Sequence, residues 1–339
     1  MTFPLMLLLF ALVASSPITP TNWMSFLNDE KRLSDIFIPG SHDSGTYVLS
    51  KRIQPEPLSA LSNRYLNMFC NFLKKIGFPV WNIITPWATT QTQTFFYQAY
   101  ASGIRYFDLR AGWNGSSWNM FHMEEGEPVS FALYDIRHFL KLNKKEIIIV
   151  EISHYFGHPS KEAHQQLKNT ILGMLGDDLY PCYEPNRSCS LPTLGMMRSA
   201  NRRVLLALTD YIDPEYFSSD PYIWAQSVIV NTYADSDQLG EMITFNDNKT
   251  MYYQENKNGV LYGKLFKISW TLTPQPETVL RGFLPGAPGS ILSLTEPAMS
   301  AFKDWAVQRK DGKPSNILIT DYVDRYALFP LILKWNDLS

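Results

Sequence analysis

Histidine is the side chain whose ordinary pKa lies nearest neutrality, so a histidine beside a carboxylate is the first place to look for proton-transfer chemistry. His42 and Asp43 form such a pair, in a Pro39-Gly40-Ser41 turn that closes a short apolar run. Other apolar runs end in polar residues as well: Asp108 and Arg110, Glu151 and His154, Asn231 and Tyr233, and Asp321. Strand side chains alternate between faces, so Ile104, Tyr106, Asp108 and Arg110 share one face, and Asp108 and Arg110 point together. Glu151 interrupts an aliphatic run, where a carboxylate needs a cation or donors, and Arg110 is the expected partner. An inward arginine at such a place meets an anion or a carboxylate, and a buried pair with Asp108 is the alternative reading. Glu151, His154 and His158 spell E-x-x-H-x-x-x-H. The segment runs off a strand rather than along a helix, so no metal is expected there. His138 and His164 fall on helix surfaces as solvated bystanders.

The elements that must position these residues are legible in the apolar pattern. Near-continuous aliphatic runs occur at 35–39 (DIFIP), 103–109 (GIRYFDL), 146–152 (EIIIVEI), 203–208 (RVLLAL), 227–230 (SVIV), 265–270 (LFKISW) and 316–320 (NILIT). Runs of this kind read as strands buried on both faces, the signature of a parallel sheet. Between them, Val129, Ala132, Leu133, Ile136, Phe139 and Leu140 recur at helical spacing. Ser160 can cap a second helix whose stripe is Ala163, Leu167, Ile171 and Leu175. Seven or eight strands alternating with helices, and no G-x-G-x-x-G after the first, favour an α/β chain folded as a distorted (β/α)8 TIM-type barrel over a doubly wound sheet. Chemistry in a barrel sits where the strands end, which is where the polar residues fall.

The chain has 339 residues, 45% of them hydrophobic and 18% charged, enough for a large core. No repeat or linker divides it, so one domain is expected over 16–339. A net charge of −2 argues against a nucleic-acid binder that relies on a basic surface. Residues 5–15 (LMLLLFALVAS) have the length of a signal-peptide core and are short for a membrane span, so 1–15 reads as a signal peptide of a secreted protein. Asn114, Asn186 and Asn248 begin N-x-[ST] sequons. Cys182 and Cys189 flank a polar stretch that a disulfide could close in an oxidising compartment, leaving Cys70 unpaired. No transmembrane segment is expected, and the chain is read as a monomer.

The stretch Ile38-Pro-Gly-Ser-His-Asp-Ser-Gly-Thr46 resembles the first signature of phosphatidylinositol-specific phospholipase C X-domains. So do Trp87-Ala-Thr-Thr-Gln-Thr followed by Gly103-Ile-Arg-Tyr-Phe-Asp-Leu-Arg110, then Trp270-Thr-Leu-Thr-Pro274, and the closing 316–322 (NILITDY). The match covers roughly 23–323 and is most similar to animal X-domain-containing proteins. The resemblance implies metal-independent cleavage of a phosphodiester, with a base for the nucleophile, an acid for the leaving group and fixed positive charge on the phosphorane. It makes His42 the base, oriented by Asp321, and His122 the acid. Asp43 organises His122 and Arg110, and Arg110 neutralises the phosphoryl oxygens.

Calcium-dependent relatives carry carboxylates at both ends of the strand that here reads Asp108-Leu-Arg110, and Asn follows their first histidine. With arginine at 110, no metal or other cofactor is expected, as in the bacterial type. Methionine rather than glycine follows His122. The positions nearest the bacterial inositol contacts are Thr209 or Asp210, and Asn231 with Tyr233. Asp108, Glu151, Asn231 and Tyr233 are the substrate-binding set. The partner implied is a phospholipid at a membrane surface. The apolar stretch between Tyr47 and Trp87, with Leu66, Phe72, Trp81 and Ile83, reads equally as a lipid-contacting rim or as a helix packed over the barrel. The rival functions are an X-domain binding protein without turnover and a magnesium-dependent barrel of the glycerophosphodiesterase or sphingomyelinase D kind.

Overall fold

The computed structural model describes residues 17–53, 68, 75, 77, 79–157, 159–184, 189–208, 220–309 and 312–339. The leading segment 1–15, most of the apolar insertion, Cys70, His158, Asn186, Thr209 and Asp210 lie outside the described residues.

Eleven strands join in one sheet among the described residues. In chain order they are β1 (Ile38–Ser41), β2 (Leu49–Ile53), β3 (Tyr106–Trp113), β4 (Trp118–His122), β5 (Glu124–Pro128), β6 (Ile148–Phe156), β7 (Val204–Leu208), β8 (Trp224–Ala225), β9 (Ile229–Thr232), β10 (Leu265–Trp270) and β11 (Ile317–Thr320). Eight run parallel, in the order β8-β7-β6-β3-β1-β11-β10-β9. The fold is a distorted TIM-type barrel that departs from the sequence expectation in two ways. The sheet is mixed, because β4, β5 and β2 extend it from β3 in antiparallel pairing. It is also unclosed: among the described residues no ladder joins β8 to β9, and a 3-10 turn over Gln226–Val228 connects them. That turn occupies much of the expected 227–230 strand, which instead runs Ile229–Thr232.

The helices follow the apolar stripes. Val129–Leu142 buries Val129, Ala132, Leu133, Ile136, Phe139 and Leu140. Lys161–Leu175 buries Ala163, Leu167, Ile171 and Leu175, and the Ser160 hydroxyl accepts from the Ala163 amide at 3.3 Å.

One feature of the sheet decides where the polar residues meet. Along one edge β3 pairs β6 from Tyr106 to Gly112. A strand has two edges, so β1 and β4 must share the other: β1 takes Tyr106 and Phe107, and β4 takes Ala111 to Trp113. The turn after β1, carrying His42, therefore meets the hairpin that carries His122. Gly40 is required in this approach, since a Cβ there would stand 2.7 Å from the Tyr106 ring and 2.8 Å from Ile319.

The opposite end of the barrel is tied by Arg105, which is fully buried. Its Nε and Nη2 donate to Glu146 Oε2 at 2.9 and 2.7 Å, and its remaining donors reach the carbonyls of Ala99, Ile104, Pro20 and Thr21. The Phe139 ring lies 4.5 Å away. A charge so deep persists only when every donor is met, as here.

Candidate active site

Alternation along the strands turns Asp108 and Arg110 of β3, Ser153 of β6, Asn231 of β9, Lys267 and Ser269 of β10 and Ile319 of β11 toward one cavity of about 720 Å³. His42, His122, His154, Tyr233 and Asp321 line it as well. Glu151 is fully buried and is not among the lining residues.

Asp43 is the centre of the polar cluster. Its backbone takes φ 41, a conformation aspartate tolerates better than most residues. The carboxylate is buried, with Oδ2 3.4 Å from His42 Nε2 and 3.3 Å from His122 Nε2, while Oδ1 pairs with Arg110 Nε. Each imidazole is held from its other nitrogen. His42 Nδ1 lies 2.7 Å from Asp321 Oδ1, and His122 Nδ1 donates to the Ala88 carbonyl at 2.7 Å. Thr90 and Gln91 fasten the His42 turn: Gln91 Nε2 donates to the carbonyls of His42 and Thr320 at 2.9 and 3.0 Å, and Thr90 Oγ1 to that of His42 at 3.1 Å. This is the physical work of the Thr-Thr-Gln segment.

The two rings titrate apart. Burial opposes a proton on His42, but Asp43 and Asp321 outweigh it and push the ring up to about 9. Burial dominates at His122; Asp43 favours its proton, Arg110 opposes it, and the ring falls to about 4. Burial also works against the Asp43 charge, yet Arg110 and the two histidines hold this carboxyl well below the usual range. At neutral pH the pair therefore carries one proton, resting on His42.

The partner of Glu151 is Lys267 rather than the expected Arg110. Lys267 Nζ stands 2.7 Å from Glu151 Oε2, Gln226 Nε2 donates to Oε1 at 2.8 Å, and Tyr106 donates its hydroxyl to the same carboxylate. Lys267 was legible by the signal that marked Glu151, a charge inside an apolar run. His42, Asp43 and Asp108 offer ligand atoms within 4.8 Å of one another. A divalent ion there would compete with the guanidinium already paired to Asp43, while Asp108 accepts from Ser153 at 2.6 Å. The donor set fits a cation poorly. Cys182 and Cys189 form the disulfide.

No family model matches the chain. It is 27% identical over 335 residues to the PI-PLC X domain-containing protein 2 of Mus musculus, covering 96% of this chain and 90% of that protein. It is 25% identical over 264 residues to the 1-phosphatidylinositol phosphodiesterase of Listeria monocytogenes, covering 76% of this chain and 72% of the other. The solved phosphatidylinositol-specific phospholipase C of Listeria monocytogenes superposes with a TM-score of 0.63 at 20% identity, over 94% of this chain and 98% of that one. Over nearly its full length this chain is similar to PI-PLC X domain-containing proteins, and it shares the barrel fold of the solved bacterial phosphatidylinositol-specific phospholipase C.

Proposed function

We propose that the cavity cleaves an inositol phospholipid without a metal, releasing diacylglycerol and an inositol 1,2-cyclic phosphate. The observation that carries this reading is a single carboxylate, Asp43, in contact with both imidazoles and the guanidinium. His42 takes the proton of the inositol 2-hydroxyl, whose oxygen attacks phosphorus in line. The bond from phosphorus to the glycerol oxygen breaks, and His122 protonates that oxygen. Arg110 offsets charge on the phosphoryl oxygens, displaced toward them from Asp43. These roles need the shared proton on His122. A diester anion seated against Arg110 and His122 favours it there, and Asp43 Oδ2, close to both Nε2 atoms, bridges the transfer. Asp108, Asn231 and Tyr233 face the head group, with Glu151 acting from beneath through Lys267.

The leaving-group side is apolar. Ala88, whose carbonyl holds His122, ends the helix Trp81–Ala88, and Ile83, Ile84 and Trp87 of that helix line the cavity. This supports a lipid over a water-soluble diester. The test is phosphorus NMR of purified protein with phosphatidylinositol vesicles, with and without EDTA. A five-membered cyclic phosphate, insensitive to EDTA and abolished by His42→Ala in a folded protein, is expected. Loss with EDTA supports the magnesium-dependent reading. Absence of turnover favours the silent binding protein, for which the resting proton on His42 is the supporting observation.

We also infer secretion, supported by the apolar 5–15 run and by a disulfide suited to an oxidising compartment. Asn248 is exposed on its helix, whereas the Asn114 amide donates to Glu125 at 2.7 Å, so a glycan is expected on Asn248 first. Recovery of glycosylated protein from culture medium tests both points. Among the described residues no helix is long and apolar enough to cross a membrane.

A further inference from the structure

Three histidines line the cavity, and the proposed reaction employs two. The third, His154, stands opposite Arg110 in the β3–β6 ladder, just past the register shift that follows Leu109. Its hydrogen bonds fix its chemistry. Ser153 Oγ lies 2.6 Å from Asp108 Oδ1 and 3.0 Å from His154 Nδ1. A carboxylate offers lone pairs only, so the serine proton goes to Asp108. That hydroxyl then has nothing left to give His154 and must accept from it. The hydrogen of the neutral ring is therefore on Nδ1, and Nε2 is left as a bare acceptor with no partner among the described residues. Burial and the neighbouring Arg110 hold this imidazole below its ordinary range, which keeps the lone pair free at neutral pH.

Three nitrogen groups of the cavity are of the opposite kind. Arg110, Lys267 and the charged His42 are donors, suited to phosphoryl oxygens. Polyol hydroxyls must also donate, and an acceptor held in one tautomer by a serine–aspartate relay meets that need. We infer that His154 is a specificity-determining residue, accepting a hydrogen bond at Nε2 from a ring hydroxyl of the head group. This rests on the reading of the cavity as a phosphodiester site and assigns it a polyol.

Two measurements test it. Nitrogen-15 NMR of the whole protein is expected to show His154 as the Nδ1–H tautomer, with its Nε2 signal moving as myo-inositol is added. In kinetics on phosphatidylinositol vesicles, His154→Ala is expected to raise KM about tenfold, more than it lowers kcat, the loss of one hydrogen bond to substrate. His154→Gln, which returns an acceptor, recovers most of that loss. An unchanged KM in His154→Ala, or equal impairment in both variants, overturns the inference. If the wild type has no turnover, the proposed reaction fails alone: a myo-inositol response at His154 still upholds the assignment, and its absence ends it.

Discussion

Asp321 Oδ1 stands 2.7 Å from His42 Nδ1 across 279 residues of sequence, which brings the end of the last strand against a ring at the end of the first. The parallel ladder between β1 and β11, Ser41 opposite Thr320, sets this distance without any adjustable loop. Asp321→Asn is expected to lower kcat about a thousandfold, in the range of general-base catalysis lost with the ring's tautomer and orientation. The same substitution should bring the His42 titration down from about 9, read from its ring protons by NMR. Unchanged values of both would remove Asp321 from the site.

The pH profile follows from the two displaced rings. Between about 4 and about 9 the pair holds one proton, and the fraction with that proton on His122 is constant. A plateau of kcat/KM over that span is expected, falling at both ends. Limbs close to the ordinary imidazole value of about 6.5 would contradict it.

Stability responds to the same shifts with opposite signs. His42, raised in the folded protein, contributes stability fully present below its ordinary pKa of about 6.5, lost as pH climbs through about 9. His122, depressed on folding, contributes above that same ordinary value, and the contribution is lost as pH falls to about 4. Urea denaturation should show His42→Gln flattening the alkaline side alone and His122→Gln the acid side alone.

Met123 occupies φ 60 in the hairpin between β4 and β5, a left-handed conformation that favours glycine. A left-handed methionine costs on the order of 1–2 kcal/mol, partly offset by its packing and by the looser unfolded chain that glycine brings. Met123→Gly is expected to gain about 1 kcal/mol of unfolding free energy on this account. A loss would mean that the apolar contact of Met123 at the cavity outweighs the strain.

Lys267→Met removes the cation beneath the cavity and leaves the Glu151 carboxylate unpaired beside Tyr106. A loss of about 3–5 kcal/mol is expected, as for other buried pairs broken on one side. Adding Glu151→Gln should restore most of it in the same denaturation assay.

Much of this arrangement was legible before folding. The aliphatic runs mark the parallel strands because both faces of each are buried, and parity along GIRYFDLR correctly turned Asp108 and Arg110 to one side. The hairpin of β4 and β5 was invisible, because WNMFH and EEGEP show neither clean alternation nor a turn glycine at 123. Its pairing to the free edge of β3 is a tertiary choice. The Glu151 partner was misjudged for a related reason: Lys267 is 116 residues away, and only the curling of the sheet brings β10 across from β6.

The missing ladder between β8 and β9 also has a mechanical meaning. The parallel strands form a clasp, and β3 and β1, which deliver Arg110 and His42, are its midpoint, β3 the fourth strand counted from one lip and β1 the fourth from the other. Among the described residues no backbone ladder joins the lips, and Lys267 and Gln226, both bound to Glu151 of β6, are the side chains that tie the two sides together. The side that lacks a ladder is thus held by one buried carboxylate, whereas the strands that carry Arg110 and His42 are held by backbone pairing on both edges.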